Sequence, residues 1–427
     1  MKIHLSYGRN GLDVEIPEKN LLKVLSFGGS VPLANPGEAI VRSLREPIGS
    51  PPLAKLAKRA TSACVVVCDI TRPVPNKQLL PPVLRILEEN GIAKNGITIL
   101  IATGLHRPST APELELILGE SIVSKYKVVD HHASAAGEQG LVGETERKTP
   151  VYIDKQYLEA ELKITVGFIE PHLMAGFSGG RKMVAIGCAG EETIKTLHGP
   201  GVLDDERCRE GSIDENPLHR ELIEISRMAG HDFMLDVSLD ANRKITGVYA
   251  GDPQRAHAAG VAAVRRSVRA TVEEPADIVV TTSAGFPLDL TYYQAIKGMT
   301  AALPILKKGG MLILAAECAE GLGSDKFAAM ATRFSTAGEF DEWIHHHPVD
   351  IDQWQLQECA KALRHADVVV VASGIQPGQK EKLFVQSAAS VEDAVAKGLQ
   401  KFGAKSTIAV IPKGPYTLVE LFPAAGW

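Results

Sequence analysis

The chain has 427 residues, 45% hydrophobic and 23% charged, with a formal net charge of -5. That length and composition suit a soluble protein of two or three domains, and the mild acidity supplies no basic field for nucleic acid or an acidic membrane. The opening Met1-Lys2-Ile3-His4-Leu5 lacks the pattern of a signal peptide, and no run reaches the about 20 apolar residues that span a bilayer, so a cytoplasmic protein acting on a small molecule is expected.

The first expected strand is Ala63 to Cys68, a short apolar, β-branched run. It delivers Asp69-Ile70-Thr71-Arg72-Pro73, where Arg72 offers a bidentate fork for phosphate or carboxylate; the same residues also make a good turn and helix cap. The second strand, Ile97 to Ala102, ends in Thr103-Gly104-Leu105-His106-Arg107, which presents a histidine beyond the sheet as a candidate proton carrier. His131-His132 and the later His345-His346-His347 read as solvated turns, because adjacent residues point in different directions.

The third strand, Leu162 to Phe168, leads into Glu170-Pro171-His172-Leu173-Met174-Ala175-Gly176-Phe177-Ser178-Gly179-Gly180-Arg181-Lys182. These thirteen positions hold a proton-transfer residue, a glycine turn suited to an anion, and a lysine that could be a cation, a nucleophile or a plain surface charge. His198 follows a short expected helix; it could bind a metal only if most ligands came from elsewhere, since no HxH or HExxH spacing accompanies it. The polar segment from Gly199 to Pro217 reads as a loop beside this region. Met234 to Leu239 and Ile245 to Ala250 read as a hairpin around Asp240-Ala241-Asn242-Arg243, and Asp252 to Val272 as one helix.

After Glu273-Glu274-Pro275 the pattern restarts, with strands expected at Ile278 to Thr282, Met311 to Ala315, Val368 to Val371 and Thr407 to Ile411. The alternation of strands and helices implies an α/β class with mostly parallel sheets. Two domains are expected, a larger N-terminal α/β domain over 1–270 and a smaller doubly wound α/β domain over 271–427, with the site in the cleft between them. On the helix after Ser283-Ala284-Gly285-Phe286-Pro287, Tyr293 and Lys297 share a face and Gln294 is adjacent, a set that could clamp a carboxylate. The six cysteines are scattered and are expected to be reduced and mostly buried.

Taken together, Asp69-x-Thr71-Arg72-Pro73, Thr103-Gly104-x-His106-Arg107, Glu170-Pro171-His172 through Ser178-Gly179-Gly180-Arg181-Lys182, His198 and Tyr293-Gln294-x-x-Lys297 resemble the lactate racemase family, which uses a nickel-pincer nucleotide. The resemblance implies a pyridinium-3-thioamide-5-thiocarboxylate mononucleotide joined covalently to Lys182, its nickel completed by His198. It implies that Asp69, Thr71, Arg72, Ser178, Gly179 and Gly180 hold the cofactor phosphate or the substrate carboxylate, with Trp354 lining the cofactor. His106 and His172 would be the two bases of a proton-coupled hydride transfer at C2 of a 2-hydroxy acid, through a 2-keto acid. Arg72, Gln294 and Lys297 would anchor the carboxylate and Tyr293 would shape the pocket, while Leu173, Met174, Phe286 and Pro287 would meet the substrate side chain and Arg107 or Arg181 any second carboxylate. Cofactor-synthesis proteins would load the enzyme, and the C-terminal domain would close over the substrate. A cofactor carrier without turnover and a nicotinamide-dependent 2-hydroxy acid dehydrogenase are the competing readings, the latter without its GxGxxG signature.

Overall fold

The computed structural model describes residues 1–240 and 242–422, so Ala241 of the expected hairpin turn and the last five residues of the expected C-terminal domain lie outside it. Two six-stranded sheets organise the chain. The first runs Ile245–Gly251, Phe233–Leu239, Leu162–Phe168, Ala63–Cys68, Ile97–Ala102, Lys127–Asp130, parallel throughout except for the terminal hairpin. The second runs Gln386–Ser387, Asp367–Val371, Leu306–Ala315, Ala276–Thr282, Ile408–Ile411, Leu21–Val24, all parallel.

Both sheets are covered on both faces, which explains why their strands read as unbroken apolar runs rather than alternating ones. In Ala63–Cys68 the side chains of Val65 and Val67 enter one core with Ile99, Ile101 and Leu79, while Cys64 and Val66 enter the opposite core with Leu100, Ile153 and Tyr157. The second sheet repeats the arrangement, Val279 facing one core and Ile278 and Val280 the other. All six cysteines are free and five are buried, as expected for inert thiols. No helix among the described residues is long and apolar enough to cross a membrane.

The expected boundary at 270/271 needs correcting at the N-terminus. Leu21–Val24 pairs with Ile408–Ile411 as the edge of the second sheet, and the hairpin Lys2–Leu5/Leu12–Glu15 packs its Ile3, Leu5 and Val14 into the core of that domain. These strands are short and flanked by polar residues, so periodicity alone did not mark them. The expected helix to Val272 stops at Val268, and Arg269–Val272 becomes a strand beside Leu418–Leu421, crossing between the domains.

In each sheet the connections run outward in opposite directions from a switch point, where ligands bind in open α/β folds. In the first sheet this point lies between Ala63–Cys68 and Leu162–Phe168; in the second it lies between Ala276–Thr282 and Ile408–Ile411. The segments that leave these strand ends carry Asp69 to Arg72, Glu170 to His172 and, ahead of the helix Tyr292–Ala302, Ser283 to Thr291.

Candidate active site

Asp69 and Thr71 follow the central strand. One Asp69 oxygen accepts from the Thr71 hydroxyl at 2.5 Å and backbone N–H at 3.2 Å; the other lies 2.6 Å from Nδ1 of His106. The Asp69 carboxyl is held below the usual carboxylate range despite its burial, chiefly by the His106 bond and charge. Both oxygens of Asp69, a residue expected to hold the cofactor phosphate or the substrate carboxylate, are thus bonded to Thr71 and His106. A proton on Nδ1 facing Asp69 leaves Nε2 of His106 as a lone pair, and the ring is open to the cleft, with 56% of its side chain exposed.

His172 is set the opposite way. Its Nδ1 accepts from the backbone N–H groups of Met174 at 3.3 Å and Ala175 at 3.2 Å, which puts the proton of the neutral ring on Nε2. Burial pushes this imidazole well below its ordinary pKa, and Lys182, Arg72 and Lys297 push it further. His106 follows the strand on one side of the central strand and His172 the strand on the other. One ring thus offers a base and the other a hydrogen-bond donor, from opposite flanks.

The turn before Lys182 is built for shape. Ser178 donates its hydroxyl to the Phe168 carbonyl and accepts from the Glu170 N–H, while the Gly180 N–H donates to Asp236 at 2.8 Å. A Cβ on Gly179 would lie 2.3 Å from the Asp236 carboxylate, in a turn whose φ of +85° already disfavours side chains. Of the turn expected to hold the cofactor phosphate or the substrate carboxylate, the Ser178 hydroxyl and the Gly180 N–H are bonded within the protein, and the chain runs from it directly into Lys182. Arg181, buried to 3% exposure, fastens the turn from behind by donating to the carbonyls of Ala175, Phe177, Ser178 and Gly179 and to the rings of His219 and His257. Arg181 is therefore consumed by the scaffold and cannot meet a substrate.

Lys182 has no ion-pair or hydrogen-bond partner for its amine among the described residues; burial lowers its pKa to about 7, with Arg72 the largest charge contribution. Such an amine is substantially neutral and nucleophilic near neutral pH. His198 caps the helix Glu191–Leu197 and donates from Nδ1 to the Ile194 carbonyl at 2.8 Å, which fixes the tautomer and leaves Nε2 free. Burial lowers its pKa to about 4. Trp354 of the second domain lies against this ring at 4.8 Å between centroids and donates to the Tyr293 hydroxyl at 3.2 Å. Gln357 donates to the His198 carbonyl at 3.1 Å, so the second domain holds the histidine on two sides.

Lys297 donates to Gln294 at 2.6 Å, and burial and the nearby Arg72 lower its pKa to about 8. The Arg72 guanidinium has no acidic partner among the described residues and bonds only the Thr71 carbonyl, at 3.4 Å. Arg72 and Lys182 of the first domain and Lys297 of the second all act on the carboxyl of Glu170, whose pKa burial pushes up. Two shallow surface recesses, one lined by Lys380 and Asp393 and one by Lys127 and Glu138, lie away from this cluster.

Residues 7–211 match the lactate racemase N-terminal domain, and residues 271–419 match the lactate racemase C-terminal domain. The chain belongs to the lactate racemase family. The lactate racemase of Thermoanaerobacterium thermosaccharolyticum is 34% identical over 424 residues, covering 98% of this chain and 99% of that protein. That of Lactiplantibacillus plantarum is 33% identical over the same length, with the same coverage. The solved lactate racemase apoprotein from T. thermosaccharolyticum has a TM-score of 0.92 at 31% identity, covering 98% of this chain and all of that one. A Thermotoga maritima protein, 19% identical with a TM-score of 0.66 and coverage of 92% and 99%, shares the fold. Membership of the lactate racemase family makes this chain an enzyme of the isomerase class.

Of the other expected residues, Leu173 and Met174 pack into a hydrophobic core cluster, at 7% and 2% exposure. Phe286 is exposed, with the Arg9 guanidinium 3.5 Å from its ring centroid, and Arg107 is paired on the surface with Glu113 at 2.6 Å. His131 is a buried ring, not a solvated turn, with Nδ1 2.8 Å from Asp154 and Nε2 2.8 Å from the Ala189 carbonyl. The expected loop after Gly199 contains a helical turn, Pro200–Leu203, and a buried Cys208 and Asn216. Sequence reading missed Asp236, although a carboxylate inside the apolar run Met234-Leu235-Asp236-Val237 was a visible signal.

Proposed function

We propose that this protein racemises or epimerises a 2-hydroxy acid at C2 with a nickel-pincer nucleotide tethered through Lys182. The observation that carries the reading is the opposite tautomeric setting of His106 and His172 on the two flanks of the Asp69–Arg72 strand end. Inversion at C2 requires hydride to leave and return on opposite faces, and the C2 oxygen needs a base that takes and gives back its proton together with a donor that holds it in place.

The residues fit the cofactor. The unpartnered amine of Lys182 supports covalent attachment, and Nε2 of His198 is a lone pair ready for a metal. No group of three or more His, Cys, Asp or Glu among the described residues could hold a metal ion, so a metal here must take most of its donors from a bound organic group. When bound, the cofactor supplies a reversible hydride acceptor for C2, which makes the 2-keto acid the symmetric midpoint of the reaction.

The chain's own groups do the rest. His106 takes the hydroxyl proton at Nε2, with Asp69 stabilising the imidazolium that forms. His172 donates a hydrogen bond from Nε2 to the same oxygen from the other flank, and the proton returns to that oxygen from His106. Lys297, with Gln294 beside it, and Arg72 hold the carboxylate. Trp354 and Tyr293 wall the cofactor side, and the second domain closes over the substrate to exclude water. Cofactor-synthesis proteins load the enzyme. The test is interconversion of two enantiomers by cofactor-loaded protein, followed by circular dichroism: loss in His106→Ala and in His172→Ala supports the reading, and full activity in both ends it.

A further inference from the structure

Resting on that reading, we infer that Gln357 of the second domain is a positioning residue for His198, so that the domain carrying the carboxylate clamp also sets the protein ligand of the metal. His198 ends the helix Glu191–Leu197, where the carbonyls of the last turn have no partner within the helix. Its carbonyl finds one across the domain boundary: Nε2 of Gln357, on the helix Gln353–His365, donates to it at 3.1 Å. Trp354, three residues earlier and so on the same face of that helix, lies against the ring, while Nδ1 of the ring is fixed on the Ile194 carbonyl of the first domain. The two domains hold this one residue between them.

Gln357 is 2% exposed, and the bond to His198 is the only hydrogen bond its side chain makes among the described residues; its Oε1 is buried without a partner. Burying an amide half satisfied costs more than burying a methionine or leucine of similar size. Packing alone does not demand glutamine here, whereas the His198 carbonyl demands a donor.

Further contacts follow along residues 199–208. A Cβ on Gly199 would lie 3.1 Å from Val349, Oδ2 of Asp204 lies 2.7 Å from Nε2 of His345, and Lys361 donates to the Cys208 carbonyl at 3.3 Å. The segment that follows the ligand is therefore seated on the second domain at three more points.

The helix that holds His198 is also tied to the helix that carries the clamp. Trp354 donates to the Tyr293 hydroxyl at 3.2 Å, and the Tyr292 hydroxyl lies 3.5 Å from Sγ of Cys359; Gln294 and Lys297 follow on the same helix, Tyr292–Ala302. A carboxylate held by Lys297 therefore acts on the unit that fixes His198. Partners that orient a metal ligand typically account for about 10- to 100-fold in metal affinity.

The test uses protein made with the cofactor-synthesis machinery and follows the loss of nickel to EDTA, together with the visible absorption of the bound nickel, which changes with its ligands. Gln357→Met fills the same space without a donor. It should lose nickel about 10- to 100-fold faster than the wild type and shift the absorption toward that of His198→Ala, while keeping the Lys182 adduct. Nickel loss as slow in His198→Ala as in the wild type would refute His198 as the ligand and this inference with it. Fast loss in His198→Ala, with a wild-type rate and absorption in Gln357→Met, would overturn the inference and leave the ligand reading standing. Fast loss in both variants of a protein that racemises no 2-hydroxy acid would support the role of Gln357 and refute the proposed reaction. If Gln357→Met does not fold, Gln357→Asn, whose amide is one methylene short of the carbonyl, decides by the same two measurements.

Discussion

The Asp69 carboxylate holds Nδ1 of His106 at 2.6 Å and thereby decides which nitrogen of the ring faces the cleft. Asp69→Asn removes the charge and allows the amide to present N–H to the ring, which moves the ring proton to Nε2 and abolishes the base. The variant should lose about 10²- to 10⁴-fold in kcat with little change in KM. Its nickel content and Lys182 adduct should match those of the parent. A drop in cofactor content instead would assign Asp69 to cofactor binding.

Lys182 gives a pH signature in the unloaded protein. Its pKa falls from 10.5 to about 7 on folding, so between those values the unfolded chain binds more protons than the native one and stability rises with pH. Lys182→Met removes that dependence. The variant should melt higher than the parent, with the widest gap at and below pH 7 and almost none near pH 10. A gap independent of pH would show that the amine is not buried as a cation.

Arg181 binds four carbonyls and two imidazoles, and no other side chain has its planar fork. Arg181→Met strands those acceptors in the core and should cost on the order of 3 kcal/mol in chemical denaturation. Arg181→Lys should recover little of it. Wild-type stability in Arg181→Lys would contradict a scaffold role.

The first domain's switch point was legible in its motifs, because the strands Ala63–Cys68, Ile97–Ala102 and Leu162–Phe168 are apolar, β-branched and followed at once by unusual polar residues. The edge strands were not. Leu21–Val24 and Lys127–Asp130 are four residues each, only partly buried, and take their conformation from pairing partners distant in sequence. The residues proposed to meet ligand were readable as chemistry, but their packing partners were not: Asp69 read as an anion holder rather than a partner of His106, and Asp236 was overlooked inside an apolar strand. Tertiary packing supplied both answers.

The second domain reaches the first through Trp354 and Gln357 on His198, Lys361 on Cys208 and His345 on Asp204. A 2-hydroxy acid bound between Arg72 of one domain and Lys297 of the other should add to these contacts. Small-angle scattering of loaded enzyme is expected to show a smaller radius of gyration with a 2-hydroxy acid or an analogue than without; superimposable curves would count against closure.

The central claim is that Lys182 is a tether and not a catalyst in its own right. Intact mass spectrometry of active protein made with the cofactor-synthesis machinery, with peptide mapping and nickel analysis, tests it directly. The account predicts a nucleotide-sized adduct on Lys182 with about one nickel per chain, absent from Lys182→Ala. Active protein whose Lys182 is unmodified would contradict it.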